Sequence, residues 1–211
     1  MDKFILSIVL FINSIFGVYA QKLTEAETLI NNFTNTVKTS AISSNFTFKI
    51  SEKKPVNSQT FQGKFILKGN QFYLEMSELK VWFNGKTQWS LVESNREVNI
   101  TEPTQEELAQ TNPVAVIGAF RKVSKLTMSK TPPKNLKVVI MTPIDKKQEF
   151  QQIQVRFNKT NGNLQSVYIK FKEGNSQEII INKYEKNTVV NANTFVFDKN
   201  KFKGITLNDL R

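Results

Sequence analysis

From Gly63 to Pro103 short aromatic and β-branched runs alternate with single polar residues. Gly69-Asn70, Asn84-Gly85 and Ser94-Asn95 interrupt them, the punctuation of a series of hairpins with one apolar face. Strand positions come in sets of period two. Phe46, Phe48 and Ile50 form the first, Phe61, Gly63, Phe65 and Leu67 the second, and Phe72, Leu74 and Met76 the third. Each set falls on one side of its strand. Val81–Phe83 and Trp89–Val92 flank the Asn84-Gly85 turn, which suits a type I′ hairpin, and Glu97–Thr101 closes the series.

Two stretches follow a helical period instead. Thr24 and Glu27 make a capping box ahead of Ala26, Leu29, Ile30, Phe33 and Val37, so an amphipathic helix is expected over Thr24–Lys38. Thr104 and Glu107 repeat the capping box and open a short helix through Gln110. Asn112 as N-cap with Pro113 at the first helical position starts another, carrying Val114, Val116, Ile117 and Phe120. After the break at Thr131-Pro132-Pro133-Lys134, strands are expected at Leu136–Met141, Phe150–Phe157, Leu164–Phe171, Glu178–Tyr184 and Thr194–Phe197. The tail from Lys203 to Arg211 reads as an extended edge or an ordered tail. The expected fold is mostly β with helices, of the α+β class: a single curved antiparallel sheet whose concave face the helices cover.

Residues 1–20 stand apart. A short charged start, the apolar run Phe4–Phe16 and small residues before Gln21 have the form of a cleavable signal peptide. Residues 21–211 are then one domain, exported and, with no cysteine at the cleavage site to take a lipid, expected to be soluble in the periplasm. The absence of cysteine anywhere excludes disulfides. The net charge is +11, but lysines are spread along the polar halves of the strands rather than clustered. The plain reading is a solvated basic surface, the alternative a weak attraction to anionic lipid or a partner, and an export signal argues against nucleic acid.

Composition removes most chemistry. Without histidine or cysteine, His-based nucleophilic catalysis and a tight zinc site are excluded. Glu106-Glu107 sit where a helix N-terminus favours acids regardless of any reaction. No glycine-rich phosphate loop occurs. Asn32, Asn45, Asn99 and Asn158 begin Asn-x-Ser/Thr triplets, which carry meaning only in a glycosylating host. No enzyme, metal or cofactor is expected. The positive signal is the 17 Phe with 2 Trp and 4 Tyr. A curved aromatic sheet under short helices leaves a concavity that an apolar ligand can complete, and acyl burial contributes about 0.8 kcal/mol per CH₂.

The segment Gly63-Lys64-Phe65-Ile66-Leu67-Lys68, then Phe72, then Val81-Trp82-Phe83-Asn84-Gly85-Lys86-Thr87-Gln88-Trp89, then Val98, resembles the LolA family of periplasmic lipoprotein carriers. Asn112-Pro113, Phe195-Val196-Phe197 and the closing Gly204-Ile205-Thr206-Leu207 also fit. The resemblance implies an unclosed β-barrel with a helical lid. It further implies a monomeric carrier that takes acylated lipoproteins from an inner-membrane ABC transporter and delivers them to an outer-membrane acceptor or to the outer membrane itself. The implied cargo site is the concave face, with Phe48, Phe65, Leu67, Phe72, Leu74 and Trp89, and the lid underside, with Val116, Ile117 and Phe120.

The family commonly has Arg-Pro where this chain has Lys68-Gly69-Asn70, and that arginine helps hold the lid closed. Lys68 is the candidate for lid control here, acting as a point charge without a bidentate fork. Two other readings share the fold. One is a carrier of another lipid or hydrophobic metabolite. The other is a lipid-sensing or protein-interaction domain that carries nothing.

Overall fold

In the computed structural model, which describes residues 22–53, 57–104, 107–108 and 113–211, twelve strands form one sheet that does not close on itself. The first helix, α1 (Glu25–Thr39), is followed by the meander β1 (Ile42–Glu52), β2 (Asn57–Lys68), β3 (Gln71–Met76), β4 (Leu79–Phe83), β5 (Gln88–Val92) and β6 (Glu97–Thr101). A second helix, α2 (Pro113–Arg121), leads into β7 (Ser124–Met128), β8 (Leu136–Pro143), β9 (Phe150–Asn158), β10 (Leu164–Phe171) and β11 (Ser176–Lys186). Two 3₁₀ turns, Ala192–Phe195 and Lys199–Lys201, precede the last strand, β12 (Thr206–Asp209). The spatial order is β12-β6-β5-β4-β3-β2-β1-β11-β10-β9-β8-β7, so β12 and β7 are the two edges. All pairings are antiparallel except β12 against β6.

The long strands bend at bulges, one in β1 between Asn45 and Phe46 and two in β10. An extra residue on one strand raises local twist and curvature, which turns a wide sheet into a trough. Gly63 contributes in another way. The Phe46 ring lies over it, and a Cβ at that position would stand 2.6 Å from the Glu75 carbonyl oxygen. Phe46 is fully buried because its opposite partner on β2 has no side chain.

The main core fills the trough between the concave face and the two helices. On α1, Ala26, Ile30, Phe33 and Val37 are buried. Phe33 meets Phe157 of β9 with ring centroids 6.2 Å apart, and Glu25 pairs with Lys137 of β8 at 2.8 Å. The Thr24/Glu27 capping box is formed, satisfying N–H groups at the helix start that would otherwise lack partners. The Thr104/Glu107 box is formed as well, with the Thr104 N–H donating to the Glu107 carboxylate at 2.7 Å. Its helix through Gln110, the Asn112 cap and the expected signal peptide lie outside the described residues.

A second, smaller core lies on the convex face. Trp82, Leu91, Val98, Ile100 and Phe197 are buried there, and Tyr73, Trp89, Phe202 and Ile205 pack against them. The tail after β11 folds across this end of the sheet. Phe197 and Phe202 stack at 5.2 Å and both meet the Trp82 ring edge to face.

Three sequence expectations are corrected here. Thr194–Phe197 is not a strand: the first 3₁₀ turn is capped by Asn191, whose side chain accepts the Asn193 N–H. Ser124–Met128 is a strand that the sequence reading passed over. The Asn84-Gly85 turn is not type I′, which needs positive φ at both central residues, because only Gly85 has it. Asn84 instead accepts the N–H groups of Lys86 and Thr87 through its side-chain oxygen.

Candidate functional site

Helix α2 is short, and its sequence PVAVIGAFR is apolar almost all round. A helix of that composition buries more than one face. Ile117 and Val116 are fully buried beneath it, and Phe120 meets Phe150 of β9 at 4.7 Å, ring edge to face. Two cavities flank this helix.

The first, about 300 Å³, is a slot between the two helices and the β2–β4 end of the trough. Its walls are Phe33 and Val37 of α1 and Ala115 and Gly118 of α2. Leu67, Phe72 and Phe83 form its floor, with Leu108 also on the lining. Gly118 is exposed on the rim of the slot, and a Cβ built there would meet nothing within 4 Å. The second cavity, about 590 Å³, lies on the other side of α2. Val116 and Phe120 line it above, Phe150, Ile153, Ile169 and Phe171 below, and Lys147, Gln148, Glu149 and Gln177 complete it. Beyond Phe171 it passes into a more polar trough of about 580 Å³ with Ile50, Glu52 and Lys172 on its walls. Both helix-flanking cavities are in the size range of small-molecule sites.

The residues singled out from the sequence divide into four groups. Leu67, Phe72, Val116 and Phe120 line the cavities. Phe65, Leu74 and Ile117 belong to the core beneath, and Phe48 is half-buried against it. Trp89 is a correction. Its register partners are Trp82 and Ile100, and it packs with the convex core, so it does not face the trough. Lys68 forms the fourth group. It is exposed at the end of β2 and makes no ion pair among the described residues. The β2–β3 turn is tied to α1 by backbone instead, the Gly69 N–H donating to the Val37 carbonyl at 2.8 Å.

Several lining residues escaped the sequence reading. Phe33 and Val37 were assigned to core packing, and their spacing signals burial without saying what fills the space. Phe83 sits in the run Val81-Trp82-Phe83, which is buried throughout because both faces of β4 are covered. Phe150, Ile153, Ile169 and Phe171 belong to strands whose position under α2 only the tertiary fold reveals.

Glu27, beside the helix-helix opening, has its pKa lowered by the hydrogen bond from the Thr24 backbone, then by the Thr24 hydroxyl. Tyr184, packed against the main core, has its hydroxyl pushed up to about 12 by burial. No group of three or more acidic or other ligating side chains is placed to hold a metal among the described residues. The arrangement can hold an apolar chain.

No curated protein matches the chain. Among solved structures, an uncharacterised conserved protein from Thermus thermophilus superposes with a TM-score of 0.58 at 7% identity, over 88% of this chain and 99% of that one. This likeness shows the fold. A LolA superfamily protein from Nitrosomonas europaea follows at 0.45 and 10% identity, covering 84% of this chain and 100% of that one. A putative outer membrane lipoprotein-sorting protein domain from Vibrio parahaemolyticus stands at 0.44 and 11%, covering 82% and 97%. A family model described as outer membrane lipoprotein carrier protein LolA matches residues 16–177, well over half of the sequence, and the chain therefore belongs to the LolA family of lipoprotein carriers.

Proposed function

We propose that this protein is a periplasmic carrier of acylated lipoproteins. It would receive them from an inner-membrane ABC transporter and release them at the outer membrane or to an acceptor there. Residues 1–20, with the form of a signal peptide, support export. The observation that carries the reading is the pair of cavities on either side of one short apolar helix. Acyl chains entering them would bury methylene groups against Phe33, Phe72 and Phe83 on one side and Phe120, Phe150 and Phe171 on the other. Each buried CH₂ contributes about 0.8 kcal/mol, so a long chain binds without any catalytic group. Loading and release would then need only a shift of α2, the short helix that borders both cavities.

Gly118 gives the sharpest test. Gly118→Leu adds a bulky apolar side chain at the rim of the slot with no clash at its Cβ and replaces a helix-interior glycine, a change worth up to about 1 kcal/mol in favour of the helix. Uptake of a fluorescent fatty acid by the delipidated variant should fall at least about tenfold while the melting temperature holds or rises. Uptake equal to wild type would remove the slot from the cargo path. Native mass spectrometry of periplasmic protein should show bound acylated peptides, and a protein that stays empty beside lipoprotein-loaded membranes would defeat the carrier reading.

A further inference from the structure

The apolar slot does not end in water alone. Along α1 and α2 it shares Thr34, Lys38 and Gly118 with an open groove of about 670 Å³. The groove is lined by four cations, Lys38, Arg121, Lys122 and Lys125. None of the four has an ion-pair partner among the described residues. The one acid on its wall, Glu27, has its carboxylate taken up by the Thr24 N–H and hydroxyl. Ser124 lies on the same wall, is 7% exposed, and its hydroxyl has no hydrogen-bond partner among the described residues. Four cations stand against the single carboxylate of Glu27, whose charge Arg121 feels, so an excess of like charge remains to repel, and a buried hydroxyl left unpaired has a cost of its own. Both penalties vanish when an anion with several acceptor oxygens occupies the groove.

We propose that this groove is a head-group site, and that the slot and groove together take an amphiphile with one acyl chain and a phosphate-bearing anionic head. The chain enters between Phe33 and Phe83, and the head rests among Lys38, Arg121 and Lys125 with the Ser124 hydroxyl donating to a phosphate oxygen. Lys38 stands in the last turn of α1 and Arg121 in the last turn of α2, so each covering helix supplies a cation to the groove. This adds a ligand class to the acyl-carrier reading on which it rests.

Calorimetric titration of the delipidated protein with three probes tests the assignment: dodecyl phosphate, dodecanol and inorganic phosphate, each below the concentration at which it aggregates. Dodecyl phosphate should bind at least about tenfold tighter than dodecanol, with the preference shrinking as salt is raised. The double variant Arg121→Gln/Lys125→Gln, at positions outside the slot, should lose most of the preference and keep the dodecanol affinity, which also shows that it is folded. Ser124→Ala, which changes no charge, should weaken dodecyl phosphate alone by a few fold. Equal affinity for the phosphate and the alcohol would overturn the head-group site and leave the carrier reading intact. Failure of dodecanol to bind, with dodecyl phosphate binding, would defeat the acyl slot instead. Inorganic phosphate binding as tightly as dodecyl phosphate would make the groove a free-phosphate site and overturn the amphiphile.

Discussion

Gly63 shows how one absent side chain sets the packing of the core beneath the trough. The Phe46 ring occupies the space a Cβ would need, and the Glu75 carbonyl closes the other side. Substitution there forces the ring and the β2–β3 pairing apart together, in a core packed as densely as an organic crystal. Gly63→Val should destabilise the protein by about 1–3 kcal/mol, the usual range for overpacking, and a urea titration reads it as a lower midpoint. A midpoint unchanged from wild type would show that Phe46 can leave without consequence. The sequence marked Gly63 by its place in an apolar alternation, where a glycine signals close approach of another group. It could not say which group, because Phe46 reaches it through strand pairing. Lys68 is the opposite case. The family resemblance made it the candidate for lid control, yet the contact joining that turn to α1 is a backbone hydrogen bond from Gly69, which no side-chain pattern records.

At the scale of elements, regular alternation was the reliable signal and loss of alternation the informative one. Helix α1 and strands β1–β6 were readable because caps, turns and periodicity agreed. Strand β7 was missed because Ser124-Lys125-Leu126-Thr127-Met128 has a weak apolar face and follows a helix directly. Trp89 went to the wrong face for a related reason. From β4 onward the sheet is apolar on its convex side, where Trp82, Leu91, Val98 and Ile100 meet Phe197 from the tail, while Gln88 and Ser90 take the other side of β5. Phase within a strand says which residues share a face, not which face the core covers. The two cores can be separated by experiment. Trp89→Ala removes a half-buried indole from the convex core and should lower stability by roughly 1–3 kcal/mol, toward or below the low end of the fully buried range. Fatty-acid affinity, measured where both proteins are fully folded, should be unchanged. A loss of affinity matching that of Gly118→Leu would place the indole in the cargo path after all.

Over the whole molecule, a wide unclosed sheet with net charge +11 depends on its carboxylates. Glu27 is held down by Thr24. At Glu75 burial pushes up, but hydrogen bonds from Lys64 and Tyr73, with the charges of Lys64 and Lys80, win and leave its pKa lowered. Lys183 lowers Glu185, and Arg211 brings Asp209 to about 2. A carboxyl group with a depressed folded-state pKa binds fewer protons folded than unfolded through that range, so its stabilisation is complete above the ordinary carboxylate pKa and is lost as pH falls through the depressed one. Protonation also raises the net positive charge, and self-repulsion works in the same direction. Burial pushes up the Tyr184 hydroxyl to about 12, and burial with the nearby Glu75 raises that of Tyr73. Those raised values give stabilisation that is full below the ordinary tyrosine pKa and fades as pH rises past it. The urea midpoint should therefore hold a plateau near neutrality, fall from about pH 4.5 down toward 2, and fall again between about pH 10 and 12. Glu75→Gln removes one of these acids where it joins β2, β3 and β4 through Lys64 and Lys80, and should make the acid limb shallower. An acid limb of unchanged slope in that variant would show that β2, β3 and β4 hold together without the pairing, and that acid sensitivity resides in α1, β11 and the tail.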